Sequence, residues 1–257
     1  VNFYAPDLVQ WFFHYLLVFA RIGSFCFASP IIGSKLLVAR VRLLLAVFLT
    51  VIVAPGLATP EIMEGLSLPA LLMIAEQVFV GLLMGFVLQI LFQVFVIGGQ
   101  MIAMQMGLGF ASMNDPVNGV PVTSLSQFFL MLTFLLYVQM DGHLIMLEMV
   151  AHSFTVIPAG IQQFHFSSLQ QLIPIMSWMT GAGLLLALPV VTALLIVNIA
   201  FGVMSRAAPQ LNIFSLGFPM TLLIGMLALY ISLSNFASLY RDISQAGFHW
   251  LQQLMLQ

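Results

Sequence analysis

Across 257 residues the chain is 62% hydrophobic and 5% charged, with a formal net charge of −2 and a single cysteine, Cys26. A soluble domain is about half apolar and about a quarter charged, so this composition belongs to an integral membrane protein or an obligate subunit of a membrane complex. No basic tract exists to meet nucleic-acid phosphate, an internal disulfide is excluded, and no cofactor is expected.

The first apolar run, residues 8–27, is interrupted by His14 and Arg21 and stops at Pro30. Asp7 ahead of it, with no basic lead-in, argues against a cleavable signal. Arg21 inside a span would cost roughly 2.5–3.5 kcal/mol near the bilayer centre, so it is expected to face protein or water. Lys35, Arg40 and Arg42 form the basic cluster that the positive-inside tendency places in the cytoplasm. The next run, residues 43–53, falls short of the ~20 needed to cross a ~30 Å core. It must borrow flanking residues or be covered by partners.

Pro55, Pro60, Glu61 and Glu64 mark a loop, and Ser67 with Pro69 reads as a helix start. A helix over residues 69–106 would extend about 57 Å at 1.5 Å per residue, almost twice the hydrocarbon thickness. Either Gly98 and Gly99 break it, or it leaves the bilayer. Gln89, Gln93 and Gln100 return to one face at steps of four and seven, as interhelical hydrogen-bonding groups or as the lining of a water path. Gly81 and Gly85 form a GxxxG pair that admits another backbone. Glu76 reads as a buried ion-pair member or a functional carboxylate.

Residues 100–121, QMIAMQMGLGFASMNDPVNGVP, should end this helix near Met106, because Gly107, Gly109, Asp115, Pro116, Gly119 and Pro121 punctuate them. The loop carries Met104, Met106, Leu108, Phe110 and Met113 with no charge before Asp115. Such side chains face protein or plug something, since a solvated loop is normally polar. Composition alone favours a loop folded against its own subunit, although adaptable methionines also suit a seal that closes and yields.

Ser124 with Gln127 matches a capping box and predicts a helix to about Met140, closed by a turn at Asp141 and Gly142. In the segment 144–157, Glu148 and His152 lie on one face at a spacing that can reach one metal. His143 points away and no third ligand is near, so polar groups in a helical interface are preferred and no metal site is assigned. The polar residues 164–171 divide the chain into a larger first part and a second hairpin. Residues 173–204 are too long for one untilted span, and Pro189 should kink or split them. Apolar sequence resumes over 213–239 after the turn MSRAAPQLN. Arg206 in that turn lies opposite the basic cluster if every run crosses, and on its side if 144–157 does not; the positive-inside tendency favours the second. From Asp242 onward, Ile243, Ala246, Trp250, Leu251 and Leu254 share a face, giving an amphipathic helix that is interfacial or docked on a partner.

Three stretches carry a resemblance beyond composition: DPVNGVPVTSLSQF from Asp115, GHL from Gly142, and above all PVVTALLIVNIAFGVMSRAAPQLNIFSLGFPM from Pro189. Together they resemble the FliR family of the flagellar type III export gate, whose close relatives serve virulence injectisomes. The likeness extends over essentially the whole chain, and SRAAPQLNIF is nearer to the flagellar branch. It implies an all-α membrane protein of kinked and broken helical hairpins, packed as one subunit of a hetero-oligomeric helical gate. Residues 1–163 would be a FliP-like part, 164–241 a FliQ-like hairpin and 242–257 a C-terminal amphipathic helix. The implied partners are FliP-like and FliQ-like subunits, a FlhB-like protein, unfolded flagellar substrates and membrane lipid. The implied setting is the bacterial inner membrane at the flagellar basal body, without enzymatic activity and without nucleic acid.

By position, Met106, Gly107, Leu108, Gly109, Phe110 and Met113 match the family's pore plug, which reverses the preference for a tucked-in loop. Gly107 and Gly109 are its hinges on this reading, and Asp115, Pro116 and Asn118 its anchor. Gln89, Gln93, Gln100, Arg206, Gln210 and Asn212 are expected at a subunit interface or gate. Two other classes rank lower. A secondary transporter is suggested by broken helices and by Glu76, Arg21 and Asn198, but no inverted repeat is evident. An intramembrane enzyme would draw on Asp141, His143, Glu148 or His152, yet no nucleophile-base pairing or HExxH motif is present.

Overall fold

The computed structural model describes residues 5–34, 37–58, 68–109, 123–158, 172–207 and 213–255. The regular elements among them are α1 (Ala5–Ala28), α2 (Ala39–Val53) with a 3-10 turn (Ala54–Gly56), and α3 (Leu68–Gln105). They continue as α4 (Ser124–Gln139), α5 (Gly142–Val156), α6 (Leu172–Ala207), α7 (Ile213–Leu233) and α8 (Phe236–Met255). Four helices are long and apolar enough to cross a membrane, namely α1, α2 with its turn, α3 and α6; counting α4–α5 and α7–α8 as broken spans gives six. The chain is an all-α membrane protein. Its residues form two compact units, one of 1–90, 141–175 and 247–257, the other of 91–140 and 176–246.

In the first unit, the Gly81 and Gly85 pair brings α3 against α1. A methyl group at Gly81 would strike the Arg21 carbonyl and the Ser24 hydroxyl, and one at Gly85 would strike the Ala28 side chain. The same two helices bury Phe13, Leu17 and Ala70 together. His14 Nε2 lies 2.9 Å from the Ala54 carbonyl, which ties α1 to the end of α2. Arg42, a member of the basic cluster, donates from Nε to the Ile32 carbonyl (2.9 Å) and from Nη2 to the Ser34 carbonyl (3.0 Å). It therefore closes the turn between α1 and α2.

The second unit corrects four expectations. First, Gly98 and Gly99 do not break α3, which is one helix of 38 residues. The roughly 1 kcal/mol that a mid-helix glycine forfeits relative to alanine is offset by closeness. A Cβ at Gly98 would lie 2.5 Å from Leu186 Cδ2, and one at Gly99 would lie 2.8 Å from Ser126 Cα. Second, Pro189 does not split α6. The helix runs unbroken from Leu172 to Ala207, at the cost of the one hydrogen bond that the Pro189 nitrogen cannot donate.

Third, α4 is capped by Thr123, not by a box starting at Ser124. Thr123 is extended (φ −66°, ψ 151°) and its hydroxyl accepts from the Ser126 N–H at 3.3 Å. Replacing Thr123 with alanine should lower stability by about 1 kcal/mol, measurable by denaturation in detergent. Fourth, the C-terminal helix begins at Phe236, six residues earlier than Asp242, after a break in which the Ser234 hydroxyl donates to the Ile231 carbonyl at 2.7 Å. Its apolar stripe is used within the chain: Phe236 and Tyr240 pack on Phe95 with ring centroids 5.6 and 5.7 Å apart. Ile243 and Leu251 of the expected stripe are buried as well, so the tail is docked on its own chain.

Candidate gate segment and its buried supports

The chain leaves α3 through a Schellman motif. The Leu108 N–H reaches the Ala103 carbonyl (2.9 Å) and the Gly107 N–H reaches that of Met104 (3.1 Å), satisfying carbonyls that the helix end would otherwise orphan. Gly107 holds the required left-handed conformation, φ +82°. A Cβ there would be strained and would also lie 3.2 Å from the Phe218 ring. The glycine expected as a hinge is placed at the point where the helix stops.

Met106 has 2% of its surface exposed. Its side chain sits on Gly225 of α7, where an added Cβ would lie 2.7 Å from Cγ and 2.8 Å from Cε. Gly109 packs against the Met104 sulfur, while Met104 is exposed and Leu108 half-buried. The segment's apolar root is thus one deeply seated methionine beside a helix-stop glycine. Replacing Gly225 with valine should unseat Met106 at a cost of about 1–3 kcal/mol, read as a lower denaturation midpoint; an unchanged midpoint would show that Met106 is not held there. Phe110, Met113, Asp115, Pro116 and Asn118 lie outside the described residues, as do Gln210 and Asn212.

The far end of the segment returns to α3. Gln100 Oε1 accepts from the Thr123 N–H at 3.3 Å and from the Ser126 hydroxyl at 3.1 Å. One glutamine six residues before Met106 therefore fastens Thr123 and the start of α4 to α3. The three glutamines part here: Gln100 is half-buried and engaged within the chain, while Gln89 and Gln93 are exposed. A cavity of about 470 Å³ adjoins the root, lined among others by Met104, Gln105, Gly107, Asn198 and Phe218. Arg206 is exposed in the last turn of α6, where a cation complements the helix dipole.

The first unit holds the Arg21 guanidinium with none of the residue exposed. Its Nε donates to Gln77 Oε1 (2.8 Å), Nη1 to the Ser153 carbonyl (2.9 Å) and hydroxyl (3.2 Å), and Nη2 to the Ile157 carbonyl (2.8 Å). The guanidinium carbon also stands 4.2 Å from the centroid of the Phe154 ring. Ser153 and Ile157 are at the C-terminal end of α5, so the cation meets the negative pole of that helix dipole, and Glu76 adds attractive charge. Arg21 thereby joins α1, α3 and α5. It faces protein, one of the two surroundings expected for it.

Glu148 and His152 are exposed on α5, and His152 Nδ1 lies 2.9 Å from the Thr155 hydroxyl. Among the described residues no three of His, Cys, Asp and Glu come together as metal ligands. Gln100 makes the interhelical hydrogen bonds expected of it, but sequence reasoning missed its partners, the Gly225 seat and the Arg42 closure. Thr123 before a serine-rich helix start was a signal for the first; a glycine inside the apolar stretch LLIGML was the only one for the second.

Residues 12–247 match the family described as bacterial export proteins, family 1. The flagellar biosynthetic protein FliR of Pectobacterium carotovorum subsp. carotovorum is 31% identical over 260 residues, covering 100% of this chain and 98% of that protein. The FliR of Escherichia coli (strain K12) is 33% identical over 222 residues, 86% and 85% of the two chains. The FliR of Aquifex aeolicus (strain VF5) is 30% identical over 219 residues, 85% and 84%.

Proposed function

This chain belongs to the bacterial export proteins, family 1, and is a component of the flagellar export apparatus; on that premise we propose that it forms one wedge of a multi-subunit gate in the bacterial inner membrane. The observation that carries the assembly reading is uncovered apolar helix. Within the chain, α3 has 67% of its most apolar stretch buried, whereas α2 and α6 have 17% and 22%. Lipid could cover some of that surface. A 36-residue helix, however, is about 54 Å long, well beyond a ~30 Å hydrocarbon core, and its excess requires protein.

On this reading FliP-like and FliQ-like subunits cover α2 and α6, and a FlhB-like protein meets the cytoplasmic face. Residues 1–163 act as the FliP-like part and 164–241 as the FliQ-like hairpin. The subunit catalyses nothing; it binds its neighbours and limits leakage. Residues 106–116 supply the plug. Met106 is its fixed root, Gly107 and Gly109 permit displacement, and Leu108, Phe110 and Met113 form the apolar seal. Asp115, Pro116 and Asn118 anchor its base together with Gln100. Unfolded flagellar subunits pass when the seal is pushed aside, which weak, polarizable methionine contacts allow.

Cells lacking the chain should release no flagellar subunits into the medium, and the intact chain should restore release. Continued release without it would overturn the reading.

A further inference from the structure

The second unit bears a groove of about 660 Å³ beside the proline of α6, walled by Leu185, Leu186, Pro189 and Ile231, with Asn235 and Asp242 among its polar lining. Leu185 and Ile231 are 67% and 62% exposed, so the walls present apolar surface outward. Pro189 has no N–H, which leaves the Leu185 carbonyl without its usual helical donor. Asp242 is exposed, and among the described residues no lysine or arginine forms an ion pair with it. Arg241 cannot serve, because consecutive residues on a helix do not face each other. A carboxylate in an apolar helix pair that passes as a broken membrane span requires a cation or water.

We propose that this groove receives a helix of another membrane subunit that carries a lysine or arginine, its apolar side chains covering Leu185 and Ile231 and its cation pairing with Asp242. A phospholipid is the poorer occupant, since its phosphate would meet the Asp242 carboxylate. The inference rests on the assembly reading given above and adds to it the chemistry of one neighbour. It also accounts for the placing of Asp242: a charge pair formed when the helix docks fixes the register of one long apolar helix against another, which apolar contact alone leaves loose.

The test uses the full chain in cells that carry the rest of the apparatus. Asp242→Lys should cut export by roughly tenfold or more, and Asp242→Asn by less, because only the former sets like charges together. Motile revertants of Asp242→Lys should carry a Lys or Arg to Asp or Glu change in a membrane helix of another subunit. Wild-type export by Asp242→Lys would overturn the proposal. If that variant fails to accumulate in the membrane, a photo-crosslinker in place of Ile231, with Asp242 intact, decides. Adducts with a subunit bearing a cationic membrane helix support the groove, and adducts with lipid alone overturn it. A second crosslinker at Leu44, exposed on α2, reports assembly separately. Protein adducts at Leu44 with lipid alone at Ile231 defeat the groove and spare the assembly; lipid alone at both positions defeats the assembly reading too.

Discussion

Replacing Arg21 with alanine is expected to lower the unfolding free energy by about 3–5 kcal/mol, the range for removing one partner from a buried charged network. The guanidinium makes four hydrogen bonds, to Gln77, to the Ser153 carbonyl and hydroxyl, and to Ile157, and it stacks over Phe154. Its loss leaves those acceptors without their donors, and Gln77 and Ser153 are themselves fully buried. Arg21→Lys should recover only part of the loss, because a point-like ammonium cannot supply a planar fork to acceptors on two other helices. Denaturation in mild detergent, followed by helix signal, measures both. A change of less than about 1 kcal/mol for the alanine variant would mean the network contributes no more than an exposed ion pair.

Deleting residues 108–113 is expected to raise ion conductance through the resting apparatus roughly tenfold or more, as loss of an apolar constriction should. The cut removes Leu108, Phe110 and Met113 from the seal but spares Met106 on Gly225, and it spares Gln100 with its bonds to Thr123 and Ser126. Both ends of the segment therefore keep their fastenings, so a leak can be separated from collapse of the second unit. A denaturation midpoint close to the parent's would establish that separation. Unchanged conductance with an intact fold would remove the plug from this chain.

Much of this architecture was legible because apolar helices announce themselves by length and by their breakers. The α3 stop near Met106 followed from Gly107, and a close backbone approach to α3 followed from Gly81 and Gly85, although not that α1 makes it. Glycine and proline break an isolated helix, yet in this fold they stand inside two long ones. Gly98 and Gly99 yield space to Leu186 and Ser126, so tertiary packing offsets what the local rule withholds, and Pro189 remains inside α6. The Arg21 site was half legible: an arginine in an apolar run must face something, but partners 56 to 136 residues away cannot be read from spacing. Gln100 shows the same limit. Its helical face was clear from the sequence, whereas its acceptance of bonds from the start of α4 depends on how the chain returns after residue 122.

If α2 and α6 leave apolar surface for other subunits to cover, the chain should not be recovered alone. Purification in mild detergent from cells expressing the whole apparatus, followed by intact-complex mass measurement, tests it most directly. One copy of this 28.3 kDa chain is expected within a larger complex containing several copies of other membrane subunits. A stable lone monomer of that mass, recovered with its helices folded and no companions, would contradict it.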